Sequence, residues 1–293
     1  MWLKVWPDGE IRMYREHFKN VVRAIVPRTA RNWLRSPSKS IEWVWDSTKF
    51  SLGTTDTLDL RTDWSVVCHP HARKVFYQAQ VSDPGQSAEF RNFISHCSKE
   101  MFLYDIGAHY GIFSLAAAHF GGRAVAVDPS PTATRMIARH IALNGCSGSV
   151  RIICAAASDV EGEIGMLDAG VFTEGYFRVA NLRPKSELTQ TYTVAIDHMV
   201  RQFGIPTHIK IDVEGHEAAV LRGAEETLRR TSPILFIELH NEIAASEGGD
   251  PTAPLEMLSQ CGYSPFALSG ESIERSTILD QPIIRIVARK KAQ

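Results

Sequence analysis

Residues 104–111 read YDIGAHYG and follow a short apolar run, MFL. In this stretch an acidic residue, Asp105, is followed by Gly107, His109 and Gly111. Glycine allows a positive φ or a close approach of ligand to backbone, and a helix that begins here offers free N–H groups. The dinucleotide fingerprint GxGxxG is absent, because the two glycines are four positions apart. The carboxylate of Asp105 would repel a pyrophosphate and pair with an ammonium group, so the loop favours a zwitterionic or cationic ligand.

A second acidic residue, Asp128, ends the apolar run RAVAVD. A carboxylate at this position can accept hydrogen bonds from both hydroxyls of a ribose. The alternative, that Asp128 caps the next helix, is less favoured because Ser130 fits that role better. Acidic residues after two successive strands, with glycines between them, resemble the S-adenosylmethionine site of class I methyltransferases. The cationic sulfonium and the amine of that ligand suit the charge of Asp105.

The stretch IKIDVEGHEAAVLRGA, residues 209–224, carries a further group of charges. Lys210 and Asp212 are two positions apart and would point to the same side of a strand. Glu214 follows in the loop, and Glu217 falls in the first turn of the next helix, where the helix dipole favours a negative charge. A buried structural ion pair is the alternative for the first two residues, but several buried charges in one parallel sheet favour a functional site.

Glu238 and His240 end another apolar run, ILFIELH. A hydroxyl group is a poor nucleophile at neutral pH, and histidine is the usual side chain to accept its proton. His240 is therefore the preferred general base, with His216 and His109 as weaker candidates; a histidine that only bonds the backbone is the alternative. Asp212, Glu238 and His240 also suggest a metal site, but their spacing does not decide it, and we expect no metal.

Four segments resemble the FkbM family of methyltransferases: YDIGAHYGIFS, AVDPSP, VAIDHMV and IKIDVEGHEAAVLRGA, followed by ILFIELH. They span residues 101 to about 240, and KIDVEG with the downstream LRGA is the most specific part. The sequence departs from the family at His109, where the family usually carries Asn. The resemblance implies a class I fold, S-adenosylmethionine as methyl donor with S-adenosylhomocysteine as product, and O-methylation of a hydroxyl on a sugar or secondary metabolite.

In this interpretation the loop after the first strand holds the methionine part of the cofactor, and the later aspartates hold the ribose and the adenine. The predicted cofactor-binding residues are Asp105, Gly107, Ala108, His109, Gly111, Asp128 (ribose), Asp159 (adenine) and Asp212. The predicted catalytic residues, which would orient and deprotonate the acceptor, are Lys210, Asp212, Glu214 and His240. One alternative is an NAD-dependent oxidoreductase on a similar sheet, which the missing GxGxxG disfavours. Another is a non-catalytic cofactor-binding scaffold.

The elements that must position these residues alternate between strand and helix from residue 101 onward. This alternation predicts a parallel, doubly wound α/β sheet with helices on both faces. Ligands bind such a sheet at the carboxyl ends of its strands. No helix-length stretch separates the last two strands, 263–268 and 282–289, so these can be antiparallel neighbours. The predicted fold is a seven-stranded, mostly parallel Rossmann-like sheet with an antiparallel last strand, preceded by an N-terminal extension.

Other predictions concern individual elements. KVFYQAQV (74–81) is predicted to be a strand and DPGQ (83–86) a turn. VRIICAAAS (150–158) is predicted to be one strand, and HEAAVLRGAEETLRR (216–230) one helix. Residues 160–190 are expected to be irregular, with a hairpin, and to form the acceptor pocket and lid together with the N-terminal hundred residues.

Residues 1–98 are predicted to form the extension and residues 99–293 the methyltransferase domain. The first 40 residues contain nine Lys or Arg against three Asp or Glu, and five of the six tryptophans lie within residues 1–45. This composition leaves peripheral membrane contact open, against an arm that packs on the main domain. The formal net charge of −1 gives no case for nucleic acid as a partner.

The five cysteines are widely spaced and form no CxxC pair, which predicts free thiols in a reducing cytoplasm. The sequence has no apolar run of about 18 residues and no secretory apolar region at its start. The expected location is therefore cytoplasmic. The expected partner is a small-molecule or glycan hydroxyl acceptor, and the sequence indicates no oligomeric state.

Overall fold

The computed structural model describes residues 37–61, 64–167, 178–179, 184 and 188–291. The strands are β1 (Asp56–Arg61), β2 (Trp64–Cys68), β3 (Phe102–Ile106), β4 (Arg123–Asp128), β5 (Val150–Cys154), β6 (Ala156–Ala157), β7 (Gly162–Leu167), β8 (Arg178–Val179), β9 (Thr189–Val194), β10 (His208–Ile211), β11 (Ile234–Leu239), β12 (Tyr263–Phe266) and β13 (Ile284–Lys290). The helices are α1 (Pro37–Leu52), α2 (Pro70–Ser82), α3 (Pro84–His96), α4 (Ile112–His119), α5 (Pro131–Leu143), α6 (Ile196–Phe203), α7 (Glu217–Arg222), α8 (Glu225–Arg230), α9 (Asn241–Ser246), α10 (Ala253–Gln260) and α11 (Arg275–Leu279). The basic arm up to residue 36 lies outside the described residues.

Seven strands form the main sheet, in the order β12-β13-β11-β10-β3-β4-β5. The five strands from β11 to β5 are parallel neighbours. Strand β13 runs antiparallel to both of its neighbours, β11 and β12. The predicted fold, a mostly parallel seven-stranded sheet with an antiparallel last strand, is confirmed.

The two faces of this sheet pack in two separate apolar clusters, because successive side chains of a strand alternate between faces. Leu103 and Phe236 belong to the cluster that contains residues of α3 and α4. Tyr104 and Ile211 belong to the opposite cluster. Asp105 has the same parity as Leu103, so its side chain points toward the α3 and α4 side.

Strand β4 and the helix that follows it lie where the sequence predicts them. Strand β4 covers Arg123–Asp128, as the run RAVAVD predicts. Helix α5 begins at Pro131, and Ser130 caps it by accepting a hydrogen bond from the Ala133 N–H at 3.2 Å. Caps of this kind satisfy free N–H groups in the first turn.

Two predictions for the segment before residue 100 are wrong. Residues 74–81 lie in helix α2 and not in a strand, and residues 83–86 begin helix α3 and do not form an isolated turn. The Asp83 carboxylate accepts hydrogen bonds from the N–H groups of Gly85 (2.8 Å) and Gln86 (3.2 Å). An Asp-Pro pair is favoured both in turns and at helix starts, so the local pattern alone did not separate the two structures.

The predicted single strand 150–158 is divided between two sheets. Its first part, Val150–Cys154, is the edge strand β5 of the main sheet, whereas Ala156–Ala157 pairs with β9 in a second sheet of order β6-β9-β7-β8. Within the predicted irregular stretch, β7 runs antiparallel to both β8 and β9. The chain thus leaves the main sheet immediately after β5 and builds a smaller sheet at its edge.

The predicted single helix 216–230 is two short helices, α7 and α8, and Gly223 lies between them. A Cβ at Gly223 would lie 2.1 Å from the carbonyl oxygen of Ser158, so this close backbone approach requires glycine. A five-residue helix, α11, also interrupts the stretch between β12 and β13, which sequence reasoning left without a helix. The two strands are nevertheless antiparallel neighbours, as predicted.

Gly223→Ala is expected to destabilise the fold because the added methyl group meets backbone that has no flexible end to move. We expect a loss of about 1–3 kcal/mol or more in the free energy of unfolding and a fall in Tm of at least roughly 2–4 °C. Thermal unfolding followed by circular dichroism measures this. Gly148→Ala is the matched control, because a Cβ there would meet nothing within 4 Å. Equal changes in Tm for the two variants would contradict the packing described for Gly223.

The segment predicted as an extension shares a core with the main sheet in its described part. Trp64, Phe90 and Phe93 lie in the same apolar cluster as Leu115 and Phe236. The division between residues 98 and 99 stays a prediction.

All five cysteines are free thiols. Across the described ranges, no helix combines the length and the apolar character needed to cross a membrane.

Candidate functional site

The loop between β3 and α4 lies against the ends of β10 and β4. Gly107 has a φ of 80°, and a Cβ on it would lie 1.8 Å from the carbonyl oxygen of Asp212. Gly111, with a φ of 76°, is the N-cap of α4. His109 also has a positive φ, 50°, and its N–H donates to Oδ2 of Asp128 at 2.8 Å. The predicted glycines therefore allow the loop to bend between two strand ends.

Asp105 is buried beneath this loop, with 1 % of its surface exposed. Its Oδ2 accepts hydrogen bonds from the N–H (3.1 Å) and the hydroxyl (2.6 Å) of Ser114. Burial raises the pKa of Asp105 to about 6. The carboxylate thus anchors the first turn of α4, and its predicted contact with an ammonium group stays a prediction.

Asp128 ends β4, as predicted, and joins two segments of the site. Its Oδ2 accepts from the N–H of His109 and its Oδ1 accepts from the N–H of Ser130 at 2.9 Å. Burial raises the pKa of Asp128 to about 6, so the group is mainly ionised at pH 7. Each carboxylate oxygen keeps a second lone pair for a ligand hydroxyl.

The structure does not bring Asp159 to the same place. Its Oδ2 accepts a hydrogen bond from Nε of Arg222 at 2.7 Å, and both side chains are partly exposed. The cavity described below is lined near this point by Ala155, Ala156 and Ala157 instead. The prediction that Asp159 reaches the adenine is not supported, because its carboxylate is directed at Arg222.

Lys210 lies opposite Asp105 in the register of β10 and β3 and is 1 % exposed. Its Nζ lies 3.2 Å from Oε1 of Glu89, on α3, and 3.3 Å from Oδ2 of Asp212. Burial alone would lower the pKa of Lys210, but Asp212 and Glu89 raise it above its usual value, so the ammonium stays charged. Lys210 is therefore placed to hold Asp212 in position, which differs from the direct catalytic role predicted for it.

Glu238 and Arg285 form a second ion pair, directly opposed in the antiparallel register of β11 and β13. Nη2 and Nε of Arg285 donate to Oε1 and Oε2 of Glu238 at 2.6 and 3.1 Å. Arg285 also lies 3.1 Å from Oδ2 of Asp83 and 3.5 Å from Oε2 of Glu89. Helix α3 is thereby joined to the sheet by charges as well as by apolar packing.

His240 lies at the centre of the carboxylates and is 3 % exposed. Its Nδ1 is 2.9 Å from Oε1 of Glu217, and its Nε2 lies 3.4 Å from Glu214, 3.7 Å from Glu238 and 3.9 Å from Asp212. Burial lowers the pKa of His240, but these neighbours, Glu217 first, raise it to about 9. A protonated imidazole cannot take a proton at pH 7, so the structure does not support His240 as the general base.

The loop after β10 contributes two more carboxylates around His240, those of Glu214 and Glu217. Glu214 has a φ of 53°, a conformation that non-glycine residues seldom adopt and that recurs at functional sites. Glu217 is 2 % exposed and also accepts from the Gly215 N–H at 3.0 Å, so it clamps the loop to His240 and is not a surface charge at a helix end. Nε2 of His216 lies 3.1 Å from Oγ of Ser158, and burial lowers the pKa of His216.

These groups surround a cavity of about 410 Å³ at the carboxyl ends of β3, β4, β10 and β11, a size usual for small-molecule sites. Of the predicted cofactor-binding residues, six line it: Asp105, Gly107, Ala108, His109, Asp128 and Asp212. All four predicted catalytic residues line it too: Lys210, Asp212, Glu214 and His240. Its apolar wall includes Val75, Phe76, Phe90, Phe113, Met166 and Val179. Side chains from both segments predicted as acceptor pocket and lid therefore face the cavity.

Sequence reasoning missed two charged residues of the site, Glu89 and Arg285. Each carries a signal in its own element. Glu89 is four positions before the buried Phe93, on the same face of α3, and Arg285 is two positions before the buried Val287, on the same face of β13. A lone charge that repeats the spacing of buried apolar residues indicates a buried ion pair.

The chain matches a known protein family and is similar to several known proteins. The model of the family described as "Methyltransferase FkbM domain" matches residues 105–265, more than half of the chain. Ribosomal protein L11 methyltransferase of Pelotomaculum thermopropionicum is 35 % identical over 74 residues, which are 25 % of this chain and 24 % of that protein. The chain thus matches about a quarter of the length of this curated relative.

Solved structures of methyltransferases are also similar to this chain. Methyltransferase FkbM from Methylobacillus flagellatus KT has a TM-score of 0.44 at 15 % identity, covering 66 % of this chain and 44 % of that one. The O-methyltransferase from Bacillus cereus, in complex with SAH, has a TM-score of 0.40 at 12 % identity, covering 74 % of this chain and 90 % of that one. From the family match over residues 105–265, the chain belongs to the FkbM methyltransferase-domain family.

Proposed function

We propose that this protein transfers a methyl group from S-adenosylmethionine to a hydroxyl group of a sugar or another small metabolite. The observation that carries the proposal is that Asp128 and the Gly107–Gly111 loop open into the same cavity as Asp212 and its ion pairs. One end of the cavity has the groups that suit a cationic nucleoside donor. The other end has carboxylates that suit a hydroxyl acceptor.

For the donor, Asp128 is the group proposed to accept hydrogen bonds from the two ribose hydroxyls. The loop from Gly107 to Gly111 would lie along the methionine part, with Asp105 behind it as a negative charge. The small side chains of residues 155–157 leave room for a flat adenine ring at the end of β5. None of these proposed contacts to the donor is of the type that a dinucleotide-binding loop makes.

For the acceptor, Asp212 is the carboxylate proposed to accept a hydrogen bond from the reacting hydroxyl. Its side chain is 33 % exposed, whereas Lys210 behind it is 2 % exposed. The ammonium of Lys210 holds the pKa of Asp212 below its usual range in spite of burial, which would raise it. Asp212 is therefore an ionised acceptor of hydrogen bonds held at a fixed position.

In the reaction, a lone pair of the acceptor oxygen forms a bond to the methyl carbon in line with the breaking carbon–sulfur bond. The electron pair of that bond stays on sulfur, which gives S-adenosylhomocysteine. The hydroxyl proton leaves to solvent by way of the carboxylates that line the cavity. Holding the two reactants in line and excluding water supplies most of the expected rate gain. The aromatic side chains of Phe76, Phe90 and Phe113 offer an apolar surface for the ring of the acceptor. A cytoplasmic location, suggested by the five cysteines, is part of this proposal.

The test is transfer of tritium from S-[methyl-³H]adenosylmethionine to panels of hydroxyl, amine and thiol compounds and to ribosomal protein. The expected product carries label that resists mild alkali, as a methyl ether does and a methyl ester does not. Label found only on amines or on protein would contradict O-methylation while leaving methyl transfer intact.

A further inference from the structure

We propose that Asp212, Glu238 and His240 bind a hard divalent cation, Mg²⁺ or Mn²⁺, at the acceptor end of the cavity. Binding of the cation does not depend on the proposed function. The part that the cation would play in catalysis does rest on that proposed function. Each of the three residues offers one ligand atom, and these atoms all lie within 4.8 Å of one another. Among the residues that the structure describes, this is the group with such an arrangement.

The orientation of His240 favours a bound cation. Its Nδ1 is held by the Glu217 carboxylate at 2.9 Å, which fixes the ring and directs Nε2 toward the cavity. Histidines that bind metals usually donate their second N–H to a carboxylate in this way. Nε2 makes a long contact of 3.4 Å with Oε2 of Glu214, and its separations of 3.7 and 3.9 Å from Glu238 and Asp212 are too long for hydrogen bonds.

Those separations do suit ligands of one ion. At metal–ligand distances of about 2.1 Å, neighbouring ligands of an octahedral ion are about 3 Å apart and opposite ligands about 4.2 Å apart. The two distances from His240 fall between these limits, so small side-chain movements bring the three atoms around a common centre. Oδ2 of Asp212 remains with Lys210, and both oxygens of Glu238 accept hydrogen bonds from Arg285, so Oε1 would offer its second lone pair to the ion.

The balance of charge around His240 also favours a bound cation. Six carboxylates pair with Lys210, Arg285 or His240 in this cluster: Asp83, Glu89, Asp212, Glu214, Glu217 and Glu238. The cations among them are Lys210, Arg285 and the protonated His240, whose proton on Nε2 the bound ion would replace. Such an excess of negative charge in a poorly solvated place is unfavourable unless a cation or protons offset it. A divalent ion supplies two positive charges at the point where Nε2 and the carboxylate oxygens converge.

Two carboxylates and one imidazole are ligands that suit Mg²⁺ or Mn²⁺, and they leave other positions for water and substrate. All three residues line the cavity, so those positions face the acceptor. A hydroxyl bound to such an ion loses its proton more readily. This inference replaces the sequence-based expectation of no metal, and it supplies an activating group where His240 was predicted as the base.

Binding of Mn²⁺ to the full chain, in the absence of S-adenosylmethionine, tests the proposal. Titration followed by the EPR signal of free Mn²⁺ should show one bound ion per chain. Asp212→Asn should weaken binding at least roughly tenfold, and Glu217→Gln, which loosens His240, should weaken it by roughly 10–100-fold. Asp159→Asn, an acidic residue outside the cavity, is the matched control and should bind as the wild type does.

Pulsed EPR on wild-type protein with Mn²⁺ gives a second measurement that needs no variant to fold. Coupling to the imidazole nitrogen of His240 should appear in the spectrum. Absence of stoichiometric binding, absence of nitrogen coupling, or unchanged affinity in a folded Asp212→Asn would each overturn the proposal. Binding of S-adenosylmethionine is measured separately without metal, so a failure here is distinguishable from a failure of the proposed function.

Discussion

Asp128→Ala is expected to lower the affinity for S-adenosylhomocysteine by a factor of 100 or more. Asp128 is the proposed partner of both ribose hydroxyls, and a hydrogen bond to a charged group contributes about 1.5–3 kcal/mol. Losing two such bonds corresponds to a loss of roughly 100-fold or more in affinity. The substitution also frees the N–H groups of His109 and Ser130, so the loop that carries the methionine contacts loses its support. Isothermal titration with S-adenosylhomocysteine, which cannot react, measures the effect.

Two further substitutions make this prediction specific. Asp128→Asn keeps the size and one acceptor oxygen, so its loss of affinity should lie between that of the wild type and that of Asp128→Ala. Asp159→Asn should leave the affinity unchanged, since the Asp159 carboxylate is paired with Arg222. Similar losses in Asp128→Ala and Asp159→Asn would show that the ribose site is wrongly placed.

Lys210→Met is expected to destabilise the protein by about 3–5 kcal/mol, the usual result of removing one member of a buried ion pair. Methionine retains most of the length of the side chain and removes the charge. Glu89, 3 % exposed, then faces one cation fewer, and Asp212 loses its support. Urea denaturation followed by tryptophan fluorescence measures the change in the free energy of unfolding.

Lys99→Met is the matched control for this prediction, because Lys99 pairs with Glu100 at the surface with 83 % of its side chain exposed. We expect less than about 1 kcal/mol of change there. In the double variant Lys210→Met with Glu89→Gln, part of the lost stability should return, because the carboxylate left with less compensation is removed as well. A Lys210→Met protein as stable as Lys99→Met would mean that the buried charges do not hold α3 to the sheet.

The sequence was sufficient for those features that local patterns determine. Asp105, Asp128 and Glu238 each fall at or near the end of an apolar run, and parallel strands end at one edge of a sheet, so the candidate site could be placed before its geometry was known. The cap at Ser130 follows from the same local rules. The match of KIDVEG and its neighbours to the family indicated the donor.

Features that depend on distant contacts could not be predicted in this way. The pairing of Glu89 with Lys210 joins a helix to a strand more than a hundred residues later, and nothing in either segment names its partner. The break at Gly223 depends on the carbonyl of Ser158. His240 was predicted as a base from its ordinary pKa, whereas carboxylates more than twenty residues earlier in the chain, Asp212, Glu214 and Glu217, raise that pKa.

The central claim is that the cavity at the ends of β3, β4 and β10 binds S-adenosylmethionine. Isothermal titration of the wild-type chain with S-adenosylmethionine, S-adenosylhomocysteine and NAD⁺, each in turn, tests it most directly. We expect one site per chain for both sulfur ligands and no measurable binding of NAD⁺. Binding of NAD⁺ without binding of either sulfur ligand would contradict it.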